Sequence, residues 1–198
     1  LENYYKPTIV LTKKDDKIVG SARSIEGFDI HQALVQCQQY LSQFGGHQFA
    51  AGLTMETSQL GAFKEAFENQ ASHLTEDQLT KKYRYESEIT LQSVTSNLYT
   101  NIKRFAPFGP DNMKPVFRSN AVFDTGSART MGKAGEHLKL NLVQNLGQKA
   151  IGATAFGFGN LYPAIKDGST MDVLFTIEEN TFRGDPTIEL MIQDIQLF

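Results

Sequence analysis

Two short stretches carry residue types that can grip an oxyanion. Ser21-Ala22-Arg23-Ser24 supplies two hydroxyls and one guanidinium within four residues. Arginine offers parallel N–H donors to a phosphate, and hydroxyls can meet its remaining lone pairs. Gly45-Gly46-His47 sets an imidazole beside two residues that lack Cβ. Paired glycines admit left-handed backbone and close approach of a ligand, and bare N–H groups in a turn attract anions. Each stretch alone has a plainer reading: a solvated strand end, and a glycine C-cap followed by a structural histidine. Together they describe an anion site built from two loops, provided the fold brings them together.

The elements that would position these loops are legible in the hydrophobic pattern. Pro7–Thr12 and Lys17–Ala22 are β-rich around the polar turn Lys13-Lys14-Asp15-Asp16, which predicts a hairpin. Turn chemistry accounts for Asp15 and Asp16 better than metal ligation does. Asp29 is the expected N-cap of a helix whose apolar stripe is Ile30, Ala33, Leu34, Cys37, Leu41 and Phe44, with Gly45 ending it. A strand over Ala50–Met55 and a helix over 58–74 follow, the latter burying Leu60, Phe63, Phe67, Ala71 and Leu74.

At Thr75–Lys82 the composition turns polar and charged. Tyr83–Thr90 then alternates like a strand, and Leu91, Val94, Leu98, Ile102 and Phe105 form a helical stripe that Phe105-Ala106-Pro107-Phe108-Gly109-Pro110 must break. From Lys114 onward the period falls to two. Leu138, Leu140 and Leu142 alternate with Lys139 and Asn141, and Met171, Val173, Phe175 and Ile177 do the same, as do Ile188, Leu190 and Ile192. With strands near Val116–Phe123 and Lys149–Ala155 that makes five, and one helix near Gly159–Ile165 falls between the third and fourth. This order matches the partly open OB-fold, which commonly binds single-stranded nucleic acid. On that reading Arg118, Arg129, Lys139 and Lys149 are candidate backbone contacts, with Phe156 and Phe158 as stacking platforms. The plainer alternative packs both rings into the barrel and leaves the lysines as solvent-facing charges.

The bulk numbers set limits. With 19 basic and 22 acidic residues, net −3, the chain has no polycationic character, so a nucleic-acid contact must come from a local patch. The single cysteine, Cys37, cannot form an internal disulfide and belongs on a helix's apolar face in a reducing, cytoplasmic setting. No run has the length of a membrane span. The histidines are His31, His47, His73 and His137; no Asp-His-His triplet, HExxH or paired-cysteine spacing is present, so no metal site is expected in this chain. Gly132-Lys133 lacks the spacing of a P-loop, and Arg183-Gly184-Asp185 reads as a turn before Pro186. Leu1-Glu2-Asn3-Tyr4-Tyr5 reads as the tail of a preceding element, with no initiator Met.

Gly20-Ser21-Ala22-Arg23-Ser24-Ile25, Phe28-Asp29-Ile30 and Phe44-Gly45-Gly46-His47 closely resemble the DHH-associated domain of the RecJ family. Phe105–Asn112, Pro115-Val116-Phe117 and His137-Leu138-Lys139-Leu140 resemble that family's OB-fold domain, in the family's order. Gly-Gly-His by itself also suits oligonucleotide phosphodiesterases and an alanyl-tRNA synthetase appendage; the second half favours RecJ. The resemblance implies an α/β DHH-associated domain over 1–74, a connector strand and helix over 75–110, and an all-β OB-fold barrel over 111–198. It implies the C-terminal, substrate-binding part of a 5′→3′ single-stranded-DNA exonuclease of recombination and repair. Its Mn2+ or Mg2+ would be held by a DHH domain missing here, and single-stranded DNA and that domain would be its partners. Ser21, Arg23, Ser24, Gly45, Gly46 and His47 would hold the substrate phosphate, and the piece alone would be inactive. A stand-alone single-strand-binding module and an oligonucleotide phosphodiesterase relative remain alternatives.

Overall fold

The computed structural model describes residues 4–181 and 185–198, so Leu1–Asn3 and the Arg183-Gly184 step of the expected turn lie outside the described residues. Two compact units divide at Tyr83/Arg84.

In the first unit, β1 (Thr8–Lys14) and β2 (Lys17–Arg23) form the expected hairpin. Asp15 supplies its left-handed residue at φ 57°, which a short polar side chain tolerates. Asp29 caps α1 (Ile30–Gln36), its carboxylate accepting from the Gln32 N–H at 2.9 Å. The chain then departs from the expected helix-to-glycine cap. α1 ends before Cys37, a 3-10 turn covers Gln38–Tyr40, and Gln43–His47 is itself a strand, β3. β4 (Ala50–Glu56) follows after the Gln48-Phe49 turn, then α2 (Leu60–Ala71) and α3 (Glu76–Leu79). The sheet order is β1-β2-β4-β3, antiparallel throughout.

Strand alternation sorts this sheet into two faces. Ile18, Ala22, Ala51, Leu53 and Met55 point into a core with Ile30, Ala33, Leu34, Cys37 and Phe63. Burial of each large aliphatic side chain contributes roughly 1.5–3 kcal/mol. Cys37 is fully buried, and that burial pushes its thiol pKa up, as fits a packing residue. Leu60, expected in the core, stands exposed at the first position of α2.

The second unit contains β5 (Ser87–Glu88), α4 (Ser96–Lys103), β6 (Phe117–Asp124), β7 (Arg129–Met131), β8 (His137–Val143), β9 (Ile151–Ala155), α5 (Tyr162–Lys166), β10 (Met171–Asn180) and β11 (Thr187–Leu197). The order is β5-β6-β10-β11-β9-β8-β7, and β8 also meets β6 through Phe123↔Val143 and Asp124↔Leu142. Pairing thus returns to its starting strand through β6, β10, β11, β9 and β8. Leu138, Leu140, Leu142, Met171, Val173, Phe175, Ile177, Leu190 and Ile192 are buried inside, as their period of two requires.

β9 runs parallel to β11 and β5 parallel to β6, so the sheet is mixed. Leu91, Val94 and Ile102, on a 3-10 turn and α4, belong to the same core. Only Ser87–Glu88 of the expected 83–90 strand pairs, and Phe105 is exposed beyond the end of α4. Asn112 secures the break after that helix, its Nδ2 donating to the Phe105 and Pro107 carbonyls at 2.9 and 2.8 Å.

Candidate nucleic-acid interface

The open face of the first unit's sheet carries most of the phosphate candidates. Arg23 lies opposite Ala50 across β2–β4, and His47 lies opposite Ala50 across β3–β4. Directly opposed residues point to one face, so the guanidinium and the imidazole rise on the same side, separated by two strand spacings of together roughly 10 Å. Between them stands only the alanine methyl. Both side chains are exposed. Two residues back along β2 the same face carries Ser21, whose row continues through Gly52 to Gly45.

The Arg23 side chain is partly anchored. Its Nη1 donates to the Ser21 hydroxyl at 3.0 Å and to the Ala22 carbonyl at 2.8 Å. Nε and Nη2, the side-on pair suited to two phosphate oxygens, have no partner among the described residues. Ser24 has a different place. It is 7% exposed, its hydroxyl donates to the Phe28 carbonyl at 2.5 Å, and its N–H donates to the Phe49 carbonyl at 3.0 Å. Ser24 braces the loop and presents no free hydroxyl.

The glycines differ in purpose. Gly46 has φ 149°, and a Cβ there would sit 2.3 Å from the Ala50 carbonyl oxygen, so the fold itself demands glycine. A Cβ on Gly45 would meet nothing within 4 Å. Neither glycine forms the anion-binding turn that the sequence suggests, because both lie within β3. The turn is Gln48-Phe49, held by Ile30 N–H to the Gln48 carbonyl at 3.1 Å and by Ser24 N–H to the Phe49 carbonyl.

In the second unit the expected DNA contacts divide. The Arg118 Nη2 donates to Asp172 Oδ2 at 2.5 Å, and the guanidinium lies 5.9 Å from the Tyr85 ring centre. The Asp172 hydrogen bond, with help from Tyr85, raises its pKa still further. Lys139 donates to Thr154 Oγ1 at 2.9 Å and to the Glu189 carboxylate. Glu189 also accepts from Thr154 and, at 2.7 Å, from Asn180 Nδ2. Burial pushes the Glu189 pKa up, but the hydrogen bonds from Lys139, Thr154 and Asn180 outweigh it and leave the carboxyl below its usual range. Phe158 packs against the core. Arg118, Lys139 and Phe158 are therefore tied into the fold.

Arg129, Lys149 and Phe156 face solvent. The Phe156 ring is 56% exposed and met edge-on by His137 at 5.0 Å. Gly157 N–H donates to His137 Nδ1 at 3.1 Å, which holds that imidazole in place. Lys149 borders a cavity of about 740 Å3 that Gln92, Thr95, Ser96, Asn180 and Glu189 also line. None of those five was singled out in the sequence; in the structure Thr95 is the N-cap of α4. Among the described residues no group of three or more His, Cys, Asp or Glu could hold a metal ion, and no helix is long and apolar enough to cross a membrane.

Comparison with known proteins agrees with this two-part layout. Residues 85–194 match the family model of the RecJ OB domain, and residues 1–73 match that of the DHHA1 domain. The protein belongs to the RecJ family, of which it carries the DHHA1 and OB domains. Among curated relatives, the single-stranded-DNA-specific exonuclease RecJ of Bacillus subtilis (strain 168) is 28% identical over 198 residues, covering 98% of this chain and 25% of the relative. The corresponding protein of Haemophilus influenzae is 27% identical, covering 98% and 35%. The chain thus spans about a quarter to a third of the relatives it matches. Two crystal structures of RecJ from Thermus thermophilus, with Mg2+ and with Mn2+, share the fold at TM-scores of 0.70 and 0.71. Their identities to this chain are 21% and 22%; each match covers 95% of this chain, and 28% and 26% of the Thermus chains.

Proposed function

We propose that this chain is the substrate-holding C-terminal region of a 5′→3′ single-stranded-DNA exonuclease of recombination and repair, working in the cytoplasm. The observation that carries the reading is the shared row: Arg23 and His47 flank Ala50 on one exposed face, and the side-on donors of Arg23 have no partner among the described residues. The side-on pair of Arg23 takes two nonbridging oxygens and the imidazole of His47 takes another. Gly45 keeps the floor low, Gly46 lets β3 hold its line, and Ser21 orients the guanidinium. Ser24 supports the set from behind. Charge stabilisation and placement are what these groups supply, since they are fixed before the reaction begins.

Hydrolysis itself is read as the work of a DHH domain that would hold Mg2+ or Mn2+, the ions present in the Thermus RecJ structures. The second unit, whose pairing returns on itself, is read as the OB-fold barrel. Arg129, Lys149 and Phe156 guide the strand as two backbone contacts and one base platform. The reading is tested by supplying manganese and 5′-phosphorylated single-stranded DNA to the chain with and without a DHH domain. Degradation only by the reunited protein is expected. Degradation by the chain alone would put the metal site in the wrong place, and inactivity of the reunited protein would leave a pure binding module.

A further inference from the structure

We infer that Phe49 is the stacking platform for the base of the nucleotide whose phosphate Arg23 and His47 hold; this rests on the phosphate reading above. A benzyl side chain in a two-residue turn normally finds cover. Phe49 stays largely open: it is 53% exposed and absent from the residues packed on the first unit's core.

Its backbone, in contrast, is pinned. The Ser24 N–H holds the Phe49 carbonyl at 3.0 Å, and the Ile30 N–H holds the neighbouring Gln48 carbonyl at 3.1 Å. A rigid turn presenting an exposed ring is the arrangement that stacking requires, because little entropy is lost when a base settles on it. Phe49 also sits where a base would fall. It is two residues from His47, at most ~7 Å between Cα atoms. Through Ser24 it is hydrogen-bonded to the residue following Arg23. A phosphate held over Ala50 lies at the end of the sheet where the Phe49 turn stands. Every base has a π-face, so the contact is tolerant of sequence, as an enzyme that consumes any strand needs.

The test uses the chain joined to its DHH domain and single-stranded oligonucleotides carrying one abasic nucleotide at successive terminal positions. At one position, loss of the base should slow the unmodified enzyme about tenfold, the scale of one lost stacking contact. Phe49→Ala should lose the same factor on intact DNA, show no further loss on that abasic substrate, and unfold at an unchanged temperature. Phe49→Trp should restore the discrimination, and Phe49→Leu should not. Equal slowing by Phe49→Ala on intact and abasic strands, or no slowing on either, overturns the inference. Arg23→Ala is measured alongside: if it turns over normally the phosphate reading itself fails, whereas a slow Arg23→Ala with an indifferent Phe49→Ala removes only the stacking role.

Discussion

The open face of the first unit and the outer face of the second bear similar residue types and treat them in opposite ways. Arg23 is anchored only to a neighbouring hydroxyl and a carbonyl, leaving its side-on donors free. Arg118 and Lys139 are closed off by Asp172 and Glu189. A cation already matched to a partly buried carboxylate would lose that partner's hydrogen bonds before it could hold a phosphate. The lesson is that a basic residue on a nucleic-acid-binding fold is informative only once its partners are known.

The sharpest way to break this contrast is to remove a cation of each kind. Lys139→Met leaves the Glu189 carboxylate, 8% exposed, without its charged partner, and should destabilise the second unit by about 3 kcal/mol, read as a lowered denaturation midpoint. The same carboxyl predicts an acid limb. Its folded-state pKa lies below its ordinary range, so its contribution is complete above that range and is lost as pH falls through the lower folded-state value. Acid unfolding of the second unit should therefore be blunted in Glu189→Gln, measured by denaturation against pH.

The glycines offer a second contrast within one strand. Gly46→Ala places a Cβ 2.3 Å from a backbone oxygen at positive φ, and should cost about 2 kcal/mol of first-unit stability. Gly45→Ala meets nothing within 4 Å; its melting temperature should stay put while affinity for single-stranded DNA falls. Equal melting of the two variants would erase the distinction between a glycine the fold needs and one it does not.

The two phenylalanines after β9 form a third and smaller contrast. Phe156→Ala should weaken single-strand binding by about 1 kcal/mol with little change in stability. Phe158→Ala should do the reverse, since that ring packs on the core. Fluorescence anisotropy and thermal melting on the same samples separate them.

Much of this layout was legible in the sequence because it is local. The Asp29 cap, the hairpin over β1 and β2, and the period-two burial along β8 and β10 all follow from neighbouring residues. Gly45-Gly46-His47 misled because a glycine pair is the usual sign of a turn, whereas here β4 holds it as an edge strand. The three-residue β7 is too short to show a period. For the candidate site, the sequence offers residue types and no geometry. That Ala50 lies opposite both Arg23 and His47 is a matter of register, and register is set by packing across the sheet. Likewise, Lys139 meets Glu189 across fifty positions of sequence, which no local pattern reveals.

The central claim is that Arg23 and His47 hold one phosphate between them. It is tested most directly by kcat/KM on single-stranded DNA for Arg23→Ala, His47→Ala and the double variant, each in the chain joined to a DHH domain. The account predicts that Arg23→Ala loses about 10²-fold or more. It predicts a combined loss smaller than the product of the two single losses, because both groups act on the same oxygens. Normal turnover by Arg23→Ala would contradict it.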